Sequence, residues 1–460
     1  MDTFDVVVVG SGPGGYRAAV LAALRGKKTA IVERAVWGGC CLNRGCVPKK
    51  DWYHSARLLA HNDTFARRGL AGSLTGDLRQ AWQHQHEMVD RVRSSYRDYL
   101  RRLGVTALSG HATLQDATTL AVDGHFVKAQ SIILATGSRP TLPDHIAVVP
   151  DRIIHSDLLF DQPVPGGERV AVVGGGIIAV EFAYILRLFG KEVTWITRRD
   201  PFARRDFSPA AMDALRKGLT AAGVTPRLAA VRDATATGQG VTLHLDEGGA
   251  VAVDWVLMAT GRRPVTDGLG LEAAGVTCDP AGFIAVDAHL QTAVPSIYAI
   301  GDCVSGPMTA NRALFEAAVA VGNIIEPKRR TRTDHLVPEA VYSAVELARV
   351  GLTEEQAEDS GFEPATGFAA FEVSPKALGE DETDGFVRLV ADMDSGRFLG
   401  GEVVGAEAGE MIHMLAALPA HDGLRTLSQT AFNHPSRSEE FQNAAETLAA
   451  RWHLLGKVFG

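Results

Sequence analysis

Two stretches of this chain follow one plan of strand, glycine turn and helix, and that repetition limits the fold more than any other feature. Phe4 to Val9 is a short apolar, β-branched run, followed by Gly10-Ser11-Gly12-Pro13-Gly14-Gly15 and a helical stretch from Tyr16 to Arg25. Gly10 allows the tight turn, Gly12 lets backbone N–H groups approach a pyrophosphate, and Gly15 lets helix and strand pack closely. The phosphates then meet the positive end of the helix. A second apolar run, Thr29 to Val32, ends in Glu33, whose carboxylate suits a ribose diol. A lone glycine motif is weak; with both strands and the acid in place it predicts a dinucleotide site.

Arg169 to Val173, then Gly174-Gly175-Gly176-Ile177-Ile178-Ala179 and a helix through Leu188 repeat the plan, with Ala179 as the third small residue. Two units in one chain indicate two dinucleotides. Glu33 lies twenty-three residues after Gly10, and the same count from Gly174 reaches Thr197, which is not acidic. Arg198 and Arg199 follow at once and Arg204 soon after. Guanidinium groups suit a 2′-phosphate and do nothing special for a free diol, so if the second dinucleotide is a nicotinamide cofactor, as the resemblance described below implies, NADPH is expected over NADH.

Between the units stands Gly38-Gly39-Cys40-Cys41-Leu42-Asn43-Arg44-Gly45-Cys46-Val47-Pro48-Lys49-Lys50. On a helix, residues five apart lie about 7.5 Å apart along the axis, whereas a disulfide wants Cα atoms within roughly 7 Å. A Cys41–Cys46 bridge therefore needs a distorted turn. Gly45 eases the distortion, Pro48 weakens hydrogen bonding there, and a strained bridge is easier to reduce. Spacing alone leaves two unrelated buried thiols as an equal reading. Five cysteines, three of them crowded here, do not form a secreted disulfide framework.

From Asp334 the texture changes to antiparallel strand signals with turns, ending in Asn433-His434-Pro435-Ser436-Arg437-Ser438-Glu439-Glu440. A thiol of ordinary pKa near 8.5 needs a base to become a thiolate at neutral pH. Histidine is suited to that, and a carboxylate fixes its tautomer.

The cysteine run resembles, almost residue for residue, the active-site motif of the FAD-dependent pyridine nucleotide-disulfide oxidoreductases. These include dihydrolipoamide dehydrogenase, glutathione reductase, mycothione reductase and mercuric reductase. The resemblance covers nearly the whole chain: Ala135-Thr136-Gly137, Ala259-Thr260-Gly261-Arg262-Arg263-Pro264, Ser296 to Asp302 and the His-Pro-Ser-x-Ser-Glu ending all fit, with Val265 where Asn is usual. It implies an α/β fold of two Rossmann-like dinucleotide-binding domains plus a C-terminal α+β dimerisation domain. The expected division is 1–145 with 265–333 for FAD, 146–264 for NAD(P)H, and 334–460 for the interface.

The resemblance also implies roles. FAD would be held by Gly10, Gly12, Gly14, Gly15, Glu33, Arg34, Gly39, Lys50, Ala112, Ala135, Thr136, Gly137, Gly301, Asp302, Met308, Thr309 and Ala310, with Asp302 on the ribityl chain. NAD(P) would be held by Gly174, Gly176, Ile178, Ala179, Glu181, Arg198, Arg199, Arg204 and Gly261. Lys50 would pair with Glu181 near the flavin. Cys41 and Cys46 would form the redox disulfide, Cys46 beside the flavin and Cys41 as the interchange thiol. His434, oriented by Glu439, would serve the disulfide of the other subunit of a homodimer.

Substrate class is less constrained. Ile177, where glutathione reductases usually have tyrosine, the Cys-Leu-Asn-Arg-Gly-Cys wording and Met308-Thr309-Ala310 favour a dihydrolipoamide dehydrogenase-like enzyme acting on a small or lipoyl disulfide, with a lipoyl-carrying protein as partner. Pro48-Lys49-Lys50, the arginines and Ser438-Glu439-Glu440 favour a glutathione reductase-like enzyme. A non-catalytic flavoprotein subunit is a third reading, opposed by every chemical position being filled. Cys40, where the family usually has Thr, is expected to be a small buried side chain, with a vicinal thiol beside Cys41 as the alternative, and Cys278 and Cys303 are expected to be inert.

His84 and His86 point to different sides of one helix, so no metal site is expected. A net charge of -8, with basic residues scattered, gives no footprint for nucleic acid. No run approaches an 18-residue uncharged apolar span, so no membrane helix is expected. The start at Met1 lacks a basic leader, and the expected location is the cytoplasm.

Overall fold

The computed structural model describes residues 1–333 and 337–452; the expected start of the last segment at Asp334 and the final residues 453–460 lie outside them. The first unit is β1 (Asp2–Val9), α1 (Pro13–Leu24) and β2 (Thr29–Glu33). The helix begins earlier than the pattern suggested because Pro13, at its first turn, has a preset φ and lacks an N–H that would go unpaired there anyway. There follow α2 (Gly39–Arg44), α3 (Cys46–Ala60), α4 (Leu78–Arg102), β3 (Thr106–Ser109), β4 (Ala112–Leu114), β5 (Thr119–Val122) and β6 (His125–Leu134).

These strands form one sheet in the order β3-β2-β1-β6-β5-β4. β1 runs parallel to both neighbours. Val6, Val7 and Val8 have no exposed surface, as a parallel strand covered on both faces requires.

A short strand β7 (Ser138–Pro140) leads to β8 (Ile153–His155), α5 (Ser156–Asp161), β9 (Arg169–Val173), α6 (Ile177–Leu188), β10 (Glu192–Thr197), α7 (Pro209–Ala221) and β11 (Pro226–Leu228). β12 (Val231–Thr237), β13 (Gly240–Leu245) and β14 (Ala250–Val253) make a small antiparallel sheet. β15 (Trp255–Met258) then completes a second parallel sheet, ordered β11-β10-β9-β15-β8. β16 (Arg262–Pro264) pairs antiparallel with β7 and ties the two sheets together. β17 (Ile297–Ala299) returns to the first sheet beside β6, and α8 (Ala310–Ile325) lies against α1.

The two glycine turns are built alike. Gly10 has φ +103° and a Cβ there would lie 2.3 Å from the Ala135 carbonyl oxygen; Gly174 has φ +143° and its Cβ would lie 2.2 Å from that of Ala259. Each glycine thus lets a turn rest on the adjacent parallel strand.

The C-terminal segment holds β18 (Glu339–Val341), β19 (Leu347–Gly351), α9 (Glu354–Asp359), β20 (Pro364–Ala370), α10 (Pro375–Glu380), β21 (Phe386–Asp392), β22 (Phe398–Val404), α11 (Ala408–Ala416), α12 (Gly423–Gln429) and α13 (Glu439–Trp452). Its sheet, ordered β18-β19-β22-β21-β20, is antiparallel throughout. Phe371, Val387, Leu389, Val403 and Phe441 form its buried core.

Candidate active site

A cleft of roughly 1520 Å³ opens at the carboxyl ends of β1 and β2, where a doubly wound sheet takes its ligand. Every residue expected on the flavin side lines it, as do Cys41 and Cys46. Gly39 approaches the first glycine turn so closely that a Cβ on it would lie 2.6 Å from the Gly12 Cα. The Glu33 carboxylate is already oriented, accepting from the Ser11 N–H at 3.0 Å, the Ser11 hydroxyl at 2.6 Å and the Ala35 N–H at 2.9 Å. The bare glycine floor, the oriented acid and the volume, larger than a drug-sized ligand needs, fit FAD.

Of the residues expected to hold the nicotinamide cofactor, Gly176, Ile178, Glu181, Arg204 and Gly261 line the same cleft. Gly174 and Ala179 do not; the first rests on Ala259 and the second is fully buried beneath the turn. Arg198 and Arg199 are exposed just past β10. The Arg204 guanidinium forms an ion pair with Asp206 through Nε and Nη2.

The sulfur segment is helical on either side of a distorted turn at Gly45, the residue expected to ease one. α2 stops at Arg44, Gly45 takes φ −136° and ψ −117°, and α3 begins at Cys46. A Cβ on Gly45 would lie 3.2 Å from the Cys41 Cα, so the fold-back depends on a small residue. The first hydrogen bond of α3 runs from Lys49 N–H to Gly45 O at 3.0 Å. Pro48 therefore lies in the first turn, where a missing N–H costs nothing, and it starts this helix rather than weakening it.

Both cysteines carry free thiols, so the expected bridge is open in this structure. The two thiols are hydrogen-bonded to each other. Donating that bond holds Cys41 well above its ordinary pKa. Accepting it is the largest cause that brings Cys46 down to about 7; Lys49 and Lys50 assist, against burial and the Glu181 charge. One sulfur is prepared to be a thiolate and the other a thiol.

The cation facing Glu181 is Lys49, whose Nζ lies 2.6 Å from Oε2 in a buried pair. The expected Lys50–Glu181 contact is not formed. Because α3 starts at Cys46, Lys49 turns toward α6, and one more residue rotates by about 100°. Lys50 instead donates to the Tyr342 hydroxyl at 2.8 Å and lies 4.0 Å from the centre of that ring. Glu181 Oε1 accepts the Tyr342 N–H at 2.9 Å, so this acid joins elements from all three parts of the chain.

The Cys40 thiol meets the Arg262 guanidinium. Arg262 Nη2 donates to its Sγ at 3.3 Å, Arg262 Nη1 binds Asp157 Oδ1 at 2.8 Å, and Arg262 Nε donates to the Ser138 hydroxyl at 2.8 Å. Ser138 in turn donates to Asp302 Oδ2 at 2.5 Å. Burial pushes the Cys40 thiol up to about 12, which keeps it protonated. Cys303 is fully buried and Cys278 is exposed. Asp157, Ser138 and Tyr342 carried no signal in the sequence, since tertiary contacts alone bring them to the cleft.

His434 Nδ1 lies 2.9 Å from Glu439 Oε1, and Glu439 Oε2 accepts the Ser436 N–H at 2.7 Å. The bond from His434 is the largest cause that holds Glu439 below its usual range. The imidazole is exposed, and neither residue lines the cleft of its own chain. Among the described residues no group of His, Cys, Asp and Glu is arranged to hold a metal. His84 contacts Asp51, and His86 contacts the Trp82 carbonyl. No described helix is long and apolar enough to cross a membrane.

Residues 4–317 match the pyridine nucleotide-disulphide oxidoreductase family and residues 337–445 match its dimerisation domain. The dihydrolipoyl dehydrogenase of Thermus scotoductus is 36% identical over 458 residues, 97% of this chain and 98% of that protein. That of Chlorobaculum tepidum is 37% identical over 461 residues, 96% of each. The crystal structure of LpdA from Mycobacterium tuberculosis superposes with a TM-score of 0.90 at 25% identity, covering 97% of this chain and 99% of that one. Two α/β units and an antiparallel third segment, expected from the sequence, are the plan these proteins share. The glycine-floored cleft, the paired thiols and the full-length likeness agree: the chain belongs to the pyridine nucleotide-disulphide oxidoreductases, enzymes that use FAD and a pyridine nucleotide, and within them it is of the dihydrolipoyl dehydrogenase-like kind.

Proposed function

We propose that this enzyme exchanges electrons between NADPH and a lipoyl disulfide through Cys41 and Cys46. The observation that carries the reading is the thiol pair in the cleft, with Cys46 brought down to about 7 by the Cys41 hydrogen bond. Relatives named dihydrolipoyl dehydrogenase along their whole length support the lipoyl substrate. FAD, which the Gly10 to Gly15 turn and Glu33 would hold, would supply the two-electron link between the pyridine nucleotide and the sulfur pair.

In the reduced pair Cys41 is the interchange sulfur. Its thiolate attacks one sulfur of the substrate disulfide, the Cys41–substrate bond forms as the substrate S–S bond breaks, and the departing thiolate is protonated. His434, held by Glu439, moves that proton and receives the one Cys41 gives up. Cys46 thiolate then attacks the Cys41 sulfur, closing Cys41–Cys46 and releasing the second substrate sulfur as a thiolate, which takes a proton from water. A thiol and a thiolate have become one disulfide on the enzyme, and with that added proton one disulfide has become two thiols on the substrate. Every step reverses for a dithiol substrate. Lys49 and Glu181 hold the charge behind Cys46, in the place the sequence had given to Lys50.

The imidazole lies outside its own chain's cleft, which supports a homodimer with His434 supplied across the subunit boundary. The proposed division is 1–145 with 265–333, 146–264 and 334–460, supported by one sheet with parallel strands in each of the first two parts and an antiparallel sheet among the described residues of the third, and the cytoplasm is the proposed location. NADPH preference rests on Thr197 in the acid's place and on Arg198 and Arg199 exposed beside it; with Arg204 engaged by Asp206, those two carry it. The test is a steady-state assay of lipoamide and oxidised glutathione with each nucleotide, on the parent and on the Arg198→Ala, Arg199→Ala double variant. Lipoamide reduced faster, with NADPH and only in the parent, is expected. Faster reduction of glutathione, or equal kcat/KM for both nucleotides unchanged in the variant, overturns the corresponding part.

A further inference from the structure

We propose that Arg437 is a positioning residue for the reaction, one that seats the His434–Glu439 pair; this rests on the reading of His434 as the acid and base. Arg437 stands at the variable position of the His-Pro-Ser-x-Ser-Glu ending, where nothing in the motif calls for a charge. Its side chain is 1% exposed, whereas the His434 side chain three residues before it is 72% exposed. One segment thus has its working end in solvent and its cation sealed inside.

Both Nη atoms of the guanidinium are bound from one turn. Nη1 donates to the Glu382 carbonyl at 3.0 Å, and Nη2 binds Glu380 Oε2 at 3.0 Å and Glu382 Oε2 at 2.9 Å. The group also stacks over Phe371, with Cζ 5.3 Å from the ring centre. A planar fork holds its own direction, which a lysine in the same place does not. A buried cation stays where its partners are, because leaving them exposes an uncompensated charge to an apolar interior.

Two anchors grip the same few residues. Glu439 takes the Ser436 N–H on the near side of Arg437, and the Glu440 N–H bonds back to the Arg437 carbonyl at 3.2 Å. The backbone between the imidazole and its carboxylate is therefore pinned from inside by the guanidinium. The same acidic turn also reaches the thiol helix: Glu382 Oε1 binds Arg57 Nη2 at 3.1 Å and lies 3.0 Å from His61 Nε2, the first on α3 and the second at its C-terminal end. Glu382 is thus the common support of the helix that begins with Cys46 and of the segment that carries His434.

A proton-transfer group displaced by about 1 Å loses on the order of a hundredfold in rate. The test compares the parent with Arg437→Gln, Arg437→Lys, Glu382→Gln and, as reference, His434→Gln. The rates measured are turnover of whichever of lipoamide and oxidised glutathione the parent reduces faster, and anaerobic flavin bleaching by NADPH; sedimentation reports the assembly. Arg437→Gln is expected to lower disulfide turnover about ten- to a hundredfold with bleaching within about twofold of the parent. Arg437→Lys recovers part of the loss, and Glu382→Gln loses turnover in the same sense. Parent-like turnover in Arg437→Gln, or an equal loss of both rates, overturns the proposal. If His434→Gln turns over at the parent rate, the underlying reading falls and the inference with it; if His434→Gln fails while Arg437→Gln does not, only the role of Arg437 falls.

Discussion

Lys49 and Glu181 meet at 2.6 Å in a pair whose side chains are 12% and 4% exposed, and the second oxygen of Glu181 is taken by the Tyr342 N–H. Removing one partner of such a pair leaves the other buried and uncompensated. Lys49→Met is therefore expected to destabilise the protein by ~3–5 kcal/mol. Lys50→Met loses only a bond and a ring contact to Tyr342, worth ~1–2 kcal/mol. Denaturant midpoints for the two variants decide between them, and an equal or reversed order would return the role behind Cys46 to Lys50.

The Cys46 thiol, brought down to about 7, implies a thiolate that persists as pH falls toward neutrality and is protonated below it. Since the largest cause is the bond donated by Cys41, Cys41→Ala should move the titration upward, toward the ordinary thiol range. Lys49→Gln should move it the same way by a smaller step. Ultraviolet absorbance of the reduced protein against pH measures the midpoint; a Cys41→Ala curve lying on the parent curve contradicts the assigned cause.

Gly10 and Gly26 both take positive φ, but only Gly10 is crowded: its Cβ would meet the Ala135 carbonyl at 2.3 Å, while nothing lies within 4 Å of the other. Gly26→Ala is expected to cost ~1–2 kcal/mol, the price of the backbone conformation alone. Gly10→Ala must also push β6 away from the turn on which the dinucleotide rests, so it should purify with little flavin. Comparing the flavin content and unfolding midpoints of the two variants separates conformation from crowding.

The turn glycines Gly10 and Gly174 were legible in the sequence because their constraint is local: the turn type and the strand on either side are written within thirty residues. The sulfur run was legible for the same reason. Lys49 against Lys50 was not, since the answer depends on α3 starting at Cys46 rather than continuing α2, and one residue of shift turns a side chain by about 100°. Asp157 and Tyr342 were invisible because they reach Arg262 and Glu181 across 105 and 161 residues of chain. Arg437 stood in a motif position that accepts many residues, and only its burial against Glu380 and Glu382 distinguishes it from surface charge.

The exposure of His434 outside its own cleft makes the subunit boundary testable without a structure of the dimer. In a chain carrying Cys41→Ser the imidazole is intact, and in a chain carrying His434→Gln the thiols are intact. Each homodimer is expected to be inactive in disulfide turnover. If sites are composite, a mixed dimer rebuilds one good site from the thiols of the second chain and the imidazole of the first, while its other site carries both lesions. Random reassociation of equal amounts should then restore about a quarter of the parent activity, since half the dimers are mixed and half their sites are whole. If each chain completes its own site, no pairing brings good thiols and a good imidazole together, and the mixture stays as inactive as its parts.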